Sequence, residues 1–113
     1  MAQATFVQDG AAIDYTPGAD VAAGDVVVQS ELVGVAKREI KASTLGALAV
    51  EGVFDFAKEV GGAVTFAVGD LAYWDDANDV AVTTDGGGAN KLLGKVVLAA
   101  ADGDANVRVK LTP

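Results

Sequence analysis

Short apolar runs separated by glycine, aspartate, asparagine or serine recur along most of the chain. The closing segment alternates most strictly, with Val107, Val109 and Leu111 apolar and Arg108 and Lys110 charged between them. Because successive side chains of a strand point to opposite faces, this pattern predicts a strand with one buried and one solvated face. By the same criteria we predict strands at residues 26–28, 32–36, 48–56, 71–74, 80–84, 92–99 and 106–111.

Helical signals are weak. Only residues 37–47 and 56–60 could hold a helical turn; neither has a convincing cap, and Gly46 interrupts the first. Frequent strands joined by short turns predict an all-β fold, either a small β-sandwich or a barrel. Residues 1–20 are weakly patterned, so we expect an extended N-terminal arm with one or two short strands. A single β domain would then occupy residues 21–113.

Composition agrees with this fold class. The 113 residues are enough for one domain and too few for two. Much of the apolar content is alanine (22) and valine (18), and only seven residues are aromatic. Valine favours a pleated surface over a helix, so we predict a thin core built mainly on valine.

The missing residue types exclude several chemistries. There is no cysteine and no histidine, which removes disulfides, thiol catalysis, the usual general base and the commonest metal ligand. We therefore expect no enzyme and no cofactor. The net charge of −8 disfavours direct binding to nucleic acid. No apolar run approaches the roughly 18 residues of a membrane span, and no signal peptide is visible, so we expect a soluble protein made in a cytoplasm.

The acidic stretch at residues 70–85 fits a turn better than a metal or catalytic site. An EF-hand calcium loop that began at Asp76 would need glycine at its sixth position, where the chain has Ala81. Residues 75–79 instead separate two predicted strands, and Asn78 can adopt a left-handed conformation. We predict a hairpin loop there.

The glycine-rich segment DGGGANK at residues 85–91 fits a flexible surface loop better than a phosphate site. A P-loop needs glycine immediately before its lysine and a hydroxyl residue after it, and Asn90 and Leu92 occupy those positions. The chain is also expected to continue as a strand, so no helix N-terminus would face an anion.

Two pairs of segments echo one another along the chain. AAGDVVV at residues 22–28 is similar to AVGDLAY at 67–73, and LVGVA at 32–36 is similar to LLGKV at 92–96. A third Gly-Asp pair opens the strand predicted at 106–111. Glycine permits a positive φ, and aspartate can bond nearby amides. The echo fits either a duplicated β unit or repeated turn chemistry, and we favour the second.

A few residues are candidates for contact with a partner. The basic run KREIK at residues 37–41 fits a solvated connection or a patch that meets an acidic surface. Phe54 and Phe56 should share one side of their strand, toward the core or a subunit interface. Trp74 fits a packing role better than a ligand platform, because the adjacent Tyr73 should point to the opposite face.

The succession FVQDG, AGDVVV, LVGVA, VEGVFDFAK, FAVGDLAYWD and LLGKVVLAAADGDANVRVKL resembles the tailed-bacteriophage capsid cement proteins, also called head decoration proteins. The resemblance runs from about Phe6 to Leu111. Relatives commonly have Asn-Gly where this chain has Asn78-Asp79, a difference confined to a loop tip. Some relatives are labelled recombinase-like, a label that would require a nucleotide-binding loop.

The resemblance implies a β-rich virion protein that binds the outside of the phage head, typically as homotrimers at threefold positions. Its partner would be the major capsid protein, met in the host cytoplasm during assembly. We hypothesise that residues 2–10 add to a strand edge of the capsid. The residues predicted to contact the capsid or another subunit are Ala4, Thr5, Phe6, Val7, Gln8, Lys37, Arg38, Lys41, Phe54, Phe56 and Trp74.

Two other classes remain as alternatives. A lipoyl or biotinyl carrier is also a small β-sandwich with Gly-Asp turns, but the residues that flank Lys58 and Lys91 do not match its modified lysine. A carbohydrate-binding module would normally show several aromatic residues on one face, and this chain has one tryptophan and two tyrosines.

Overall fold

The computed structural model describes residues 3–111, which form two antiparallel sheets. The strands are β1 (Ala12–Tyr15), β2 (Val26–Gln29), β3 (Leu32–Val35), β4 (Gly46–Ala49), β5 (Val53–Ala57), β6 (Leu71–Asp75), β7 (Val80–Val82), β8 (Lys91–Leu98) and β9 (Asn106–Leu111). The first sheet has the order β1-β4-β3-β2, and the second has the order β5-β9-β8-β6-β7. The predicted all-β fold class is confirmed, and the arrangement is that of a small β-sandwich.

The main core lies where the two sheets pack together. On β9, Val107, Val109 and Leu111 are buried while Arg108 and Lys110 are exposed, as the alternation predicts. Side chains from β3 in the first sheet join those of the second sheet in one cluster. Its buried members are Val33, Val35, Phe56, Phe66, Ala72, Trp74, Ala81, Leu93, Val96, Ala100, Val107, Val109 and Leu111.

The opposite face of the first sheet is covered by the chain that joins β3 to β4. Ile40 in this connection packs with Val21 and Leu48 in a second, smaller cluster. A Cβ atom at Gly46 would lie 2.7 Å from the Ile40 side chain, so the close approach requires glycine there. Burying both faces of one sheet in this way lets a chain with few large side chains form two cores.

The predicted single strand at residues 48–56 is wrong. The run divides into β4 and β5, which belong to different sheets. Gly52 lies between them with φ of 117°, and its carbonyl oxygen accepts a 2.9 Å hydrogen bond from the Leu111 amide. A glycine with this backbone conformation lets the chain leave one sheet and enter the other.

Neither of the two segments that could have held a helical turn, residues 37–47 and 56–60, is helical. Ile40 pairs with Val21, and Lys58 pairs with Ala81, each through an isolated β-bridge. The single helical element within residues 3–111 is a 3₁₀ turn at Gly86–Gly88. The other predicted strands are present, with ends that differ by at most two residues.

The N-terminal segment is partly built into the first sheet. β1 pairs with β4 over its whole length, from Ala12 opposite Ala49 to Tyr15 opposite Gly46. Residues 3–11 contain no strand. The predicted arm at residues 1–20 and domain at 21–113 each extend by two residues beyond the described range, and their division at residue 20 stays a prediction.

The molecule is elongated, with principal extents of 50 × 36 × 25 Å and a radius of gyration of 15.1 Å. A compact domain of this length has a radius of gyration of roughly 13 Å. Among the described residues there is no helix with the length and apolar character to cross a membrane.

Candidate functional site

The acidic hairpin between β6 and β7 is closed by its own side chains. The Asp75 carboxylate accepts hydrogen bonds from the Asn78 side-chain amide at 2.8 Å and from the Ala77 and Asn78 backbone amides at 3.1 and 3.3 Å. These bonds, led by the Asn78 side chain, lower the pKa of Asp75. The left-handed residue is Asp79, with φ of 56°, and not Asn78 as predicted.

The hairpin loop is also joined to the core by a side-chain hydrogen bond. Asp76 accepts a 3.3 Å hydrogen bond from the indole N–H of Trp74, which ties the loop to the core. Across residues 3–111, no three carboxylates come close enough together to hold a metal ion. The predicted hairpin loop is confirmed by the pairing of β6 with β7.

The glycine-rich segment is a closed turn. The Asp85 carboxylate accepts from the Gly87 amide at 3.1 Å, and the Asn90 side chain donates to the Thr84 carbonyl oxygen at 2.9 Å. The chain then enters β8, as predicted. Contacts within the turn therefore occupy the polar groups that a phosphate would need.

The three Gly-Asp turns share one hydrogen bond. In each, the aspartate carboxylate accepts from the amide of the alanine three residues earlier, at 3.0 Å for Ala22–Asp25, 2.8 Å for Ala67–Asp70 and 2.8 Å for Ala101–Asp104. The first two turns are more alike than the third. Gly24 and Gly69 have φ of 91° and 93°, whereas Gly103 has no positive φ.

The likeness of the first two turns extends to the strands around them. Val27 pairs with Gly34, and Ala72 pairs with Gly94, so the echoed glycines occupy the same register position. Each unit is also flanked by an isolated bridge, Val21 to Ile40 in one and Phe66 to Ala100 in the other. Turn chemistry alone would not fix strand register and flanking bridges. These pairings favour a duplicated β unit, against our preference from the sequence.

The N-terminal residues predicted to contact the capsid are exposed. Phe6 has 79% of its surface accessible, and Val7 has 86%. Ala4, Thr5 and Gln8 are exposed as well, and the Gln8 side chain donates to the Ala12 carbonyl oxygen at 3.0 Å. An exposed phenylalanine beside an exposed valine, outside both sheets, is an apolar surface available to a partner.

The basic residues of the run at 37–41 differ in their ion pairs. Lys41 lies 3.4 Å from Glu39 and 3.7 Å from Asp20, whose pKa is lowered by the Ala42 amide and by Lys41. Lys37 and Arg38 form no ion pair within the described residues. They border a pocket of about 300 Å³, which is lined by Ala11, Ala12, Lys37, Arg38, Ile40, Ala47, Ala49 and Glu51.

The predicted aromatic contacts lie mostly inside. Phe56 is 3% exposed and Trp74 is 5% exposed, and their ring centroids are 5.9 Å apart. Phe54 is half-buried, with its ring centroid 6.1 Å from that of Phe56, so the two phenylalanines share one face as predicted. Phe56 and Trp74 therefore act as packing residues. A buried Trp74 also cannot serve as a sugar-binding platform.

The two lysines considered as carrier sites are held in place. Lys58 is 4% exposed, and its Nζ donates to the carbonyl oxygens of Glu59 and Asp102 at 2.8 and 2.9 Å. Lys91 Nζ lies 2.8 Å from Glu31. The burial of Lys58 does not fit a lysine that carries a swinging cofactor.

Sequence reasoning missed a row of residues on the outer face of the second sheet. Lys95 on β8 lies opposite Lys110 on β9, with Leu71 and Val53 at the two ends of the row. The alternation in residues 107–111 indicates that Lys110 points outward. Which residues stand beside it depends on strand pairing, for which the sequence carries no local signal.

A search against known protein families matches residues 7–111 to the family described as phage cement protein. No curated protein and no solved structure matches the chain. The match covers both sheets and begins within the N-terminal segment, so Ala4, Thr5 and Phe6 lie before it.

Proposed function

The chain belongs to the phage cement protein family, and we propose that it binds the outer surface of a bacteriophage capsid and stabilises the assembled shell. Family membership makes it a structural protein of the phage capsid. The outer location and the stabilising effect are our proposal. The observation that carries it is the family match over nearly the whole chain, and the exposed apolar arm supports it.

Stabilisation would arise from selective binding. A protein that binds the expanded shell, and neither the unexpanded shell nor its fragments, shifts the equilibrium toward the intact expanded shell. No catalytic step is needed for this effect. The net charge of −8 also suits the outside of the particle, because an acidic lining would repel packaged DNA.

The N-terminal segment is the first proposed contact with the major capsid protein. Residues 3–10 are exposed and outside the sheets, and they lead into β1, an edge strand of the first sheet. Such a segment can add to a strand edge of the shell through backbone hydrogen bonds, with Phe6 and Val7 filling apolar sites. Ala2, which our hypothesis includes, lies outside the described residues.

Lys37 and Arg38 are the second proposed contact. They are exposed cations on an acidic protein, and they border the pocket that Ala11 and Ala12 also line. They therefore lie close to the base of the arm. A carboxylate on the shell surface could pair with them once the arm has bound.

We further propose that the protein occupies threefold positions of the shell as a homotrimer. A trimer on a matching symmetry axis presents three arms at once, so contacts that are weak individually give firm attachment together. The trimer would stand on the virion surface and have no direct contact with nucleic acid or membrane.

The proposal is tested by mixing the purified protein with expanded and with unexpanded shells that were assembled without it. We expect co-sedimentation with expanded shells only, and a reconstruction that shows added density on the outer surface at the threefold positions. Binding to the inner surface, or equal binding to both kinds of shell, would contradict the proposal.

A further inference from the structure

Two lysines stand directly opposite one another on the second sheet. Lys95 and Lys110 are paired in register, and both are exposed. Within residues 3–111 neither forms an ion pair, although the chain has 16 acidic residues. Like charges at directly opposed positions destabilise a sheet. Residues that reduce the stability of the isolated fold are expected at functional surfaces, such as a surface that binds a partner.

The lysines lie among exposed apolar side chains. Val53 is 54% exposed and Leu71 is 45% exposed, and they flank the two lysines within the same row. Leu98 is 53% exposed and lies opposite Arg108 in the neighbouring row. A patch of apolar groups that surrounds charges without partners has the character of a contact surface.

The next row of the sheet shows the contrast. Arg108 is paired there with Asp55, with Nε 3.0 Å from Oδ1, directly across β5 and β9. This bond lowers the pKa of Asp55 and neutralises the row. The lack of an ion pair at Lys95 and Lys110 within the described residues is therefore a local feature and not a property of the whole face.

The opposite end of the same sheet carries the complementary charge. Asp76 and Asp79 are exposed in the hairpin loop between β6 and β7. β6 runs from Leu71 in the lysine row to Asp75 beside this loop, about 13 Å at the usual rise of a strand. Within one molecule, the acidic loop and the two lysines are therefore too far apart to pair. Both surfaces remain available to a second molecule.

We propose that a second copy of this chain covers the lysine row of Val53, Lys110, Lys95 and Leu71 with its acidic hairpin loop. The inference rests on the proposed self-association and names the two surfaces that meet. Copies that each carry a charge of −8 repel one another over most of their surfaces, and contact at the lysine row reverses that sign. Because the two surfaces differ, the contact is heterologous, the type that can close into a ring.

The exposed area leaves room for such a contact. The accessible surface is 6815 Å², against roughly 5,700 Å² expected for a monomer of this mass. A standard interface buries roughly 800 Å² on each partner.

The test measures self-association of the full chain by sedimentation equilibrium. Lys95→Glu together with Lys110→Glu should raise the dissociation constant at least about tenfold. Lys37→Glu with Arg38→Glu makes the same change in net charge at the other basic site, and it should raise the dissociation constant less than about threefold. Thermal unfolding of each variant establishes that the fold is intact.

Adding Asp76→Asn and Asp79→Asn to the Lys95→Glu, Lys110→Glu variant should restore part of the lost association, because neutral loop side chains no longer repel the introduced glutamates. The amide oxygen that Asp76→Asn introduces can still accept the bond from the Trp74 indole. Asparagine tolerates the left-handed conformation at residue 79. A wild-type chain that stays monomeric at high concentration overturns the inference, as does equal weakening by the control. If the Lys95→Glu, Lys110→Glu variant loses shell binding but still self-associates, the inference is also overturned, because the lysine row would then contact the shell. Shell binding by the wild type is measured separately and tests the proposed function alone.

Discussion

At the scale of single residues, aspartate side chains close loops and do not assemble into sites. Asp75 caps its hairpin, and Asp25 and Asp70 cap the two echoed turns, each through bonds to amides nearby in sequence. Local bonds of this kind follow from spacing, which is why the sequence predicts the hairpin loop. The Lys58 side chain donates to the backbone carbonyl oxygen of Asp102, which is distant in sequence. No local pattern indicates such a bond, and it was not predicted.

The lowered pKa of Asp75 predicts a dependence of stability on pH. A carboxyl group whose pKa is lower in the folded state stabilises the fold above its unfolded pKa of about 3.9, and this contribution is lost as pH falls through the folded pKa. Asp75→Asn should therefore reduce the free energy of unfolding at neutral pH and flatten its decline below about pH 4. Urea unfolding across this range measures both effects.

Asp14→Asn is the matched control, because the Asp14 carboxylate on β1 accepts no hydrogen bond among the described residues. For this variant, the free energy of unfolding should decline below about pH 4 as it does in the wild type. If the free energy of unfolding of Asp75→Asn falls with pH as steeply as that of the wild type, the bond between Asp75 and Asn78 does not contribute to stability in solution.

At the scale of elements, apolar alternation predicts where strands lie better than how they are connected. The run at residues 48–56 is apolar on both sides of Gly52, so its pattern gives no sign that β4 and β5 enter different sheets. Gly52 was the one local signal, and its conformation is evident only once Leu111 pairs with it. Pairing partners such as β5 and β9 are far apart in sequence, and no local pattern fixes their register.

The Gly-Asp turns predict different tolerances for the same substitution. Gly69 has φ of 93°, Gly103 has no positive φ, and a Cβ atom at either would meet nothing within 4 Å. Gly69→Ala should therefore lower the free energy of unfolding by about 1–2 kcal/mol through backbone strain alone. Gly103→Ala should change it by less than about 0.5 kcal/mol. Equal losses in chemical denaturation would contradict the assigned turn conformations.

At the scale of the whole molecule, several large apolar side chains are exposed on the surface and do not pack in either core. Phe6 and Val7 are exposed on the arm, and the lysine row carries exposed Val53 and Leu71. The arm was predicted because a weakly patterned terminus is visible in the sequence, and the family resemblance gave it a role. The lysine row was not predicted, because it exists only after β5, β9, β8 and β6 are aligned.

The arm supplies a prediction that separates folding from binding. Deleting residues 2–10 removes the exposed residues 3–10 but leaves the pairing of β1 with β4 in place, so the unfolding temperature should change by no more than about 2 °C. Co-sedimentation with expanded shells should be abolished. Undiminished shell binding by this variant would show that the arm is not the contact, and a large loss of stability would show that it belongs to the fold.

The most direct test of the central claim is the temperature at which expanded shells rupture, measured with and without saturating amounts of this protein. Binding that favours the intact shell should raise the rupture temperature, and the rise should grow with protein concentration until all sites are filled. The arm-deleted protein serves as the control and should give no rise. Shells that rupture at the same temperature with and without bound protein would contradict the account.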